Sequence, residues 1–568
     1  MRSAKRCLGS TSSALFAAVF VGVSAFAQRP PPAPKRPVKD VYHGITVVDD
    51  YRWLENFADP EVKRWVAAEN AYTRSLLDKL PGRAGLAHEV DATIKKLPTS
   101  YGGLRVVGGK VFAFKAEPAR EQPELVVFTS LNGNSAERVV LDPLKIDAQG
   151  HVEMDFYRPS LDARYVAVSL SRLGSEAGDV HVFEVETGKE LFGDMVPRVN
   201  NGTAGGSVAW NADGTGFYYT RYPRPGERAP ADLGFYQQIY FHTLGSPVAN
   251  DRYEAGKDFP RIAEIALQAS DDGKWILATV ANGDGGDFFH LVRGPDARWR
   301  QLTHYSDQVT QARFGPDDSL YLLSGENAPM GKVLRLADPA SSLDAAKLIT
   351  PESDVAIEDL MPTSDRLFVV DMAGGPSQIR MFTKGGGFAG KVPIEGVVSV
   401  NGMERIGRDE VLFRTAGYTQ SPEWFRYSPA TQKPSLIPVL SSHFSLSFSD
   451  AEVVRDFAVS KDGTRVPLNI IRLKRTQLDG KNPVLLTGYG GYRISETPGL
   501  NPLNRVLLDH GFVIVNTNLR GGGEYGEKWH EAGKLTHKQN VFDDFYACAQ
   551  YLVSHKYTTP ERLGSGLL

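Results

Sequence analysis

Two polar side chains near the end of the chain sit in glycine settings that suit acyl-transfer chemistry. Tyr489 lies in Thr487-Gly488-Tyr489-Gly490-Gly491-Tyr492, directly after the apolar run Val484-Leu485-Leu486. A hydroxyl projecting there from the carboxyl end of a buried strand could donate a hydrogen bond to a developing oxyanion, an effect worth about 3 kcal/mol in favourable cases. The other reading of Tyr489 is a core tyrosine beside a tight turn. Ser565 lies in Gly564-Ser565-Gly566. A nucleophile elbow needs glycines two before and two after its serine, because the strand-to-helix turn there is sharp and strained. Positions 563 and 567 are both leucine.

A serine also needs a base. α/β-Hydrolases place an acid and then a histidine after the nucleophile, yet only Gly566, Leu567 and Leu568 follow Ser565. All twelve histidines precede it, His530 and His555 among them. A serine hydroxyl without a base is a very weak nucleophile. Other candidates have plainer explanations. Asp543 and Asp544 could be an acid–base pair, but in the first turn of a helix two carboxylates favour the helix dipole. Arg520 to Gly526 is glycine-rich but lacks the Gly-Lys-Ser/Thr ending of a phosphate loop, so no nucleotide is expected. Arg520 and Glu524 within it could pair with each other or contact a substrate. Cys548 falls in a helical apolar pattern and reads as core, and His43 beside Gly44 reads as a turn residue. No metal-ligand spacing occurs, so neither metal nor cofactor is expected.

The elements that must position these residues follow from the rest of the chain. At 568 residues it needs more than one core. A formal charge of −3 gives no sign of a nucleic-acid partner. Arg2, Lys5 and Arg6 followed by the apolar run Ala14 to Ala27 read as a signal peptide over 1–27, with export to the periplasm or beyond; an N-terminal membrane anchor is the alternative. No later stretch is apolar enough to span a membrane. Within 28–99, Asp59 and Pro60 open a helix striped by Trp65, Ala68, Tyr72 and Leu76.

From 100 to 450 one unit recurs, a turn with Asp or Gly followed by an apolar-aromatic strand. It begins near Gly108, Leu161, Ala212, Asp271, Asp317, Ser364 and Arg408, at intervals of roughly 44 to 59 residues. That is the period of a four-stranded propeller blade, and seven such units predict a seven-bladed β-propeller. Over 451–568 the texture becomes α/β. Lys461 to Thr464 turns a hairpin, and Phe512 to Val515 reads as a strand buried on both faces. Leu500 to His510 reads as a crossover helix. Asn540 caps a last helix with Phe542, Phe545, Ala549 and Leu552 on one face.

The ordered motifs Thr487 to Tyr492, Asn518 to Gly526, Trp529-His530, and Lys538-Gln539-Asn540 with Phe542 to Phe545 resemble the prolyl oligopeptidase family. Tyr42-His43-Gly44 and Tyr51 to Glu55 resemble its N-terminal portion. The resemblance implies a propeller capping an α/β-hydrolase domain built from both chain ends, and a serine peptidase cutting short peptides after proline. It gives Tyr489 the oxyanion-donor role alongside a backbone amide, and makes Ser565 a remnant of the nucleophile. Family members follow Tyr-Thr-x-Pro-x-Arg-Leu with a buried strand and then Gly-x-Ser-x-Gly-Gly-Leu-Leu. Here Tyr557 to Leu563 runs straight into Gly564-Ser565-Gly566. The expectation is an incomplete hydrolase domain, truncated and inactive by itself. A non-catalytic propeller that binds peptides or partners is the alternative; a sibling peptidase with a basic-residue preference fits the motifs less well.

Overall fold

The recurring turn of the sequence occupies one structural position seven times. In a computed structural model, which describes residues 29–132, 137–441 and 444–567, each such turn joins the first and second strands of a four-stranded antiparallel sheet. The seven sheets span Ser100–Leu141, Val152–Asn200, Val208–Ala255, Ala263–Thr303, Val309–Thr350, Ala356–Val392 and Val398–Leu436. They are blades one to seven of a β-propeller. Aspartate is favoured in these turns because its carboxylate accepts the amide two residues on. Asp162 accepts from Arg164 N and Asp272 from Lys274 N, each at 3.0 Å.

Apart from Lys110–Ala116 of blade one, the second strands are mostly buried, Gly216–Arg221 and Leu320–Ser324 completely. Each blade packs its faces on its neighbours, so apolar side chains along these strands remove two surfaces from water at once. Phe112 and Val127 of blade one pack with Tyr157 and Val166 of blade two. Every blade consists of consecutive strands, so no strand crosses from blade seven to blade one. Side chains close the ring instead. Leu412, Trp424 and Ile437 pack with Leu104, Val111 and Phe128, and Arg105 of blade one pairs with Glu404 of blade seven at 2.6 Å.

After the propeller the chain forms a five-stranded sheet. Its strands are β1 (Ala451–Val459), β2 (Arg465–Leu473), β3 (Val484–Gly488), β4 (Val513–Thr517) and β5 (Leu563–Leu567), in the order β1-β2-β4-β3-β5. The predicted hairpin is β1–β2, and β3 runs parallel to both β4 and β5. This is the α/β-hydrolase part of the fold. The crossover helix is shorter than expected, Asn504–Asp509. The last helix is Gln539–Ser554, and it differs from expectation in two ways. Asn540 is not its cap, since its side chain donates to Ala532 O instead. Phe542 is 49% exposed, and the buried face runs through Val541, Asp544, Ala547, Cys548 and Leu552. Cys548 is core, as expected, and burial pushes its thiol pKa up.

Of the described residues, those up to Glu89 form a compact unit of their own, and a second begins at Val90. In the first, Val38–Tyr42 pairs with Ile45–Asp49 across His43 and Gly44, both at positive φ. This is a tight hairpin turn and makes His43 structural. Asp59 accepts from Glu61 N at 2.7 Å and caps helix Pro60–Leu77. Trp65 and Tyr72 are half-buried on it, whereas Ala68 and Leu76 are exposed. The expected signal peptide over 1–27 lies outside the described residues.

Candidate active site

Tyr489 follows the last residue of β3, which is flanked by β4 and β5, so it emerges at the carboxyl end of the parallel strands. That edge is where α/β sheets bind ligands. The turn around it depends on glycine. Gly490 has φ +68°, and a β-carbon there would meet Val541 Cγ1 at 2.5 Å and Arg520 O at 2.9 Å. Lys538 Nζ fixes the Gly490 carbonyl at 2.7 Å. The Tyr489 ring is half-buried, and its hydroxyl has no hydrogen-bond partner among the described residues. It is therefore free to donate to a bound group.

Ser565 is placed differently. It lies inside β5, opposite Leu486, and is exposed. Tyr489 stands three positions beyond that register, roughly 10 Å further along the strand direction. The structure does not bring Ser565 and Tyr489 together. The reason is visible in the pairing: Leu563 to Leu567 themselves form the parallel partner of Val484–Gly488. The Gly-Ser-Gly segment is thereby drawn into the strand instead of forming a turn after it. Ser565 has no hydrogen-bonded histidine among the described residues. His530 is buried with Nδ1 against Gly521 O at 2.9 Å, and His555 stacks on Tyr551.

The loop after β4 is held by a buried ion pair that the sequence did not disclose. Arg520 meets Asp544 through Nε at 2.9 Å and Nη2 at 2.5 Å, and its own amide donates to the same carboxylate. Asp462, in the β1–β2 turn, takes the other arm of the guanidinium, which holds its carboxyl down at about 2. Asp544 is thus a structural counter-ion and not a helix-dipole residue, and Asp543 accepts from Gln539. Nor do Arg520 and Glu524 pair; Glu524 accepts from Glu496 N and Asn518 Nδ2.

Three residues beyond Tyr489 the loop enters a cavity of about 430 Å³, shared by Tyr492, Arg493 and Gly523 with the hydrolase-side ends of blades four to six. Glu264, Asp284, Gln311 and Glu358 line its propeller side. Glu358 is exposed to the chamber, and its enclosure by the chamber walls, with Asp359 and Glu524 nearby, pushes its carboxyl up. Nothing in the sequence marks these residues, because they come from three different blades and share no motif. The arrangement offers a polar chamber three residues along the loop from the Tyr489 hydroxyl. Among the described residues no cluster of three metal-ligating side chains occurs, and no helix is long and apolar enough to cross a membrane.

Comparison with known proteins agrees with this geometry. Residues 30–439 match the family described as prolyl oligopeptidase, N-terminal beta-propeller domain, and residues 500–566 match the prolyl oligopeptidase family. A prolyl endopeptidase of Elizabethkingia meningoseptica is 28% identical over 537 residues, which are 92% of this chain and 72% of the relative. Prolyl oligopeptidase A of Galerina marginata is 26% identical over 94% of this chain and 76% of its own. A solved structure from a study of two prolyl endopeptidases superposes with a TM-score of 0.86 at 29% identity, covering 94% of this chain and 78% of that one. With a family match across most of its length, this chain belongs to the prolyl oligopeptidase family of serine peptidases.

Proposed function

We propose that this protein is an exported endopeptidase acting on short peptides after proline, and that residues 1–568 by themselves do not turn substrate over. The proline preference is supported by similarity to prolyl endopeptidases. The chamber under the propeller supports a peptide substrate small enough to enter it. Tyr489 supplies the oxyanion donor in this reading. Acyl transfer also needs a serine beside a proton acceptor, because the base raises the nucleophilicity of the hydroxyl and later returns the proton to the leaving amine. The observation that supports inactivity is the register of β5: Ser565 opposite Leu486 lies within a strand, with no hydrogen-bonded histidine among the described residues.

A proline-linked fluorogenic peptide tests this. The 568-residue chain is expected to release fluorophore no faster than the uncatalysed control. Turnover that disappears in Ser565→Ala would overturn the reading. The chamber also favours a second possibility, peptide binding without cleavage. Saturable binding of the intact peptide with no product would support that one.

A further inference from the structure

Two hydrolase loops carry contacts to the propeller, one around residues 492–499 and the other around 518–527. Glu527 N donates to Pro329 O of blade five at 2.8 Å. Ser399 Oγ of blade seven donates to Pro498 O at 2.7 Å. Glu524 joins the two loops from within. It is 1% exposed, and its Oε1 accepts from Glu496 N at 2.8 Å and Asn518 Nδ2 at 3.2 Å. Asn518 also donates to Glu496 O at 2.7 Å. The second oxygen, Oε2, is buried with no partner among the described residues.

Among the described residues no cation pairs with this carboxyl. Arg455, from β1, is spent on the Ala373 and Gly374 carbonyls of blade six and on the Tyr525 hydroxyl. Arg493, on the facing loop, lies 3.4 Å from Glu527. The remaining titratable neighbours are Glu496 on the facing loop, Glu358 on blade six, Tyr418 on blade seven and Tyr525 on its own loop. A buried carboxylate with one bare oxygen, beside two further carboxyls, is costly to ionise. We propose that Glu524 is a protonation latch, holding the 492–499 loop against the 518–527 loop, and through them the propeller contact, for as long as its carboxyl keeps a proton. This inference does not rest on the proposed peptidase activity.

The sign follows from linkage. Burial, opposed by the bonds from Glu496 N and Asn518, raises Glu524 from an ordinary 4.5 to about 7. Where the loop opens, the carboxyl returns to its ordinary value. The closed form is then fully favoured below 4.5, loses ground as pH rises from there, and has lost the whole contribution once pH passes about 7.

Hydrogen exchange of the 492–499 amides, corrected for intrinsic pH dependence, reads this directly in the whole chain. Protection is expected to fall about tenfold or more between pH 5 and pH 7.5 and then level off. Glu524→Gln, a neutral mimic of the protonated side chain, should remove the step. Glu358→Gln should move its midpoint to lower pH. Protection in the unmodified chain that stays within about twofold over this range would overturn the latch, as would an undiminished step in Glu524→Gln. The series on the unmodified chain decides the matter even where a variant fails to fold.

Discussion

Asp544→Ala is expected to destabilise the hydrolase region by about 3–5 kcal/mol, the largest loss of any single polar substitution there. The side chains of Arg520 and Asp544 are 5% and 0% exposed, so removing the carboxylate strands a guanidinium away from water. Asp462 cannot substitute, because its side chain is half in solvent and is held mainly by Nη1, reaching Nη2 only at 3.4 Å. The pair ties together the β1–β2 turn, the loop after β4 and the last helix, so its loss should also loosen the Gly490 turn that carries Tyr489. Equilibrium urea unfolding measures the cost. The double variant Arg520→Met with Asp544→Leu should cost less than Asp544→Ala, because no uncompensated charge is left behind. A single variant within about 1 kcal/mol of the parent would contradict this assignment.

Trp424→Ala should cost a similar amount, about 3–5 kcal/mol, but in the propeller. Trp424 is 2% exposed at the seam between blades seven and one, and its indole N–H donates to Tyr101 O at 3.1 Å. Elsewhere a blade has intact neighbours on both sides. At this seam the ring depends on one apolar cluster and the Arg105–Glu404 pair, with no shared strand to hold it. Trp424→Phe should retain much of the packing and lose mainly the hydrogen bond. Hydrogen exchange should show the loss first in Ser100–Val107 and Val398–Arg405, the first strands on either side of the seam. Unchanged protection in both strands would count against a seam closed by this residue.

The propeller was legible because its signal is local and repeated. Asp162, Asp213 and Asp272 each make their turn with a residue two positions away, so spacing alone reveals the hairpin. The β3 and β4 strands were legible as short apolar runs. The last helix was legible, and Phe545, Ala549 and Leu552 of its expected face do pack on the sheet. Phe542 alone of that stripe is exposed, and Val541 and Asp544 are buried in its stead, because Arg520 needs a counter-ion there. That partner is 24 residues away and becomes visible only once the chain is folded. The same holds for Glu524, whose partners are a backbone amide of the facing loop, Glu496 N, and the Asn518 side chain of its own. The position of Tyr489 could be read from glycines and a preceding strand. The chamber acids could not, since Glu264 and Asp284 of blade four meet Glu358 of blade six only once the blades pack side by side.

A fluorophosphonate probe followed by peptide mapping tests the serine itself, independently of any substrate preference. Such probes modify serines that a neighbouring base has activated and leave ordinary hydroxyls alone. The strand register of Leu563–Leu567 predicts unmodified Ser565 after prolonged exposure of the folded chain. A stoichiometric adduct on that residue, abolished by unfolding beforehand, would mean that the hydroxyl does sit beside a proton acceptor.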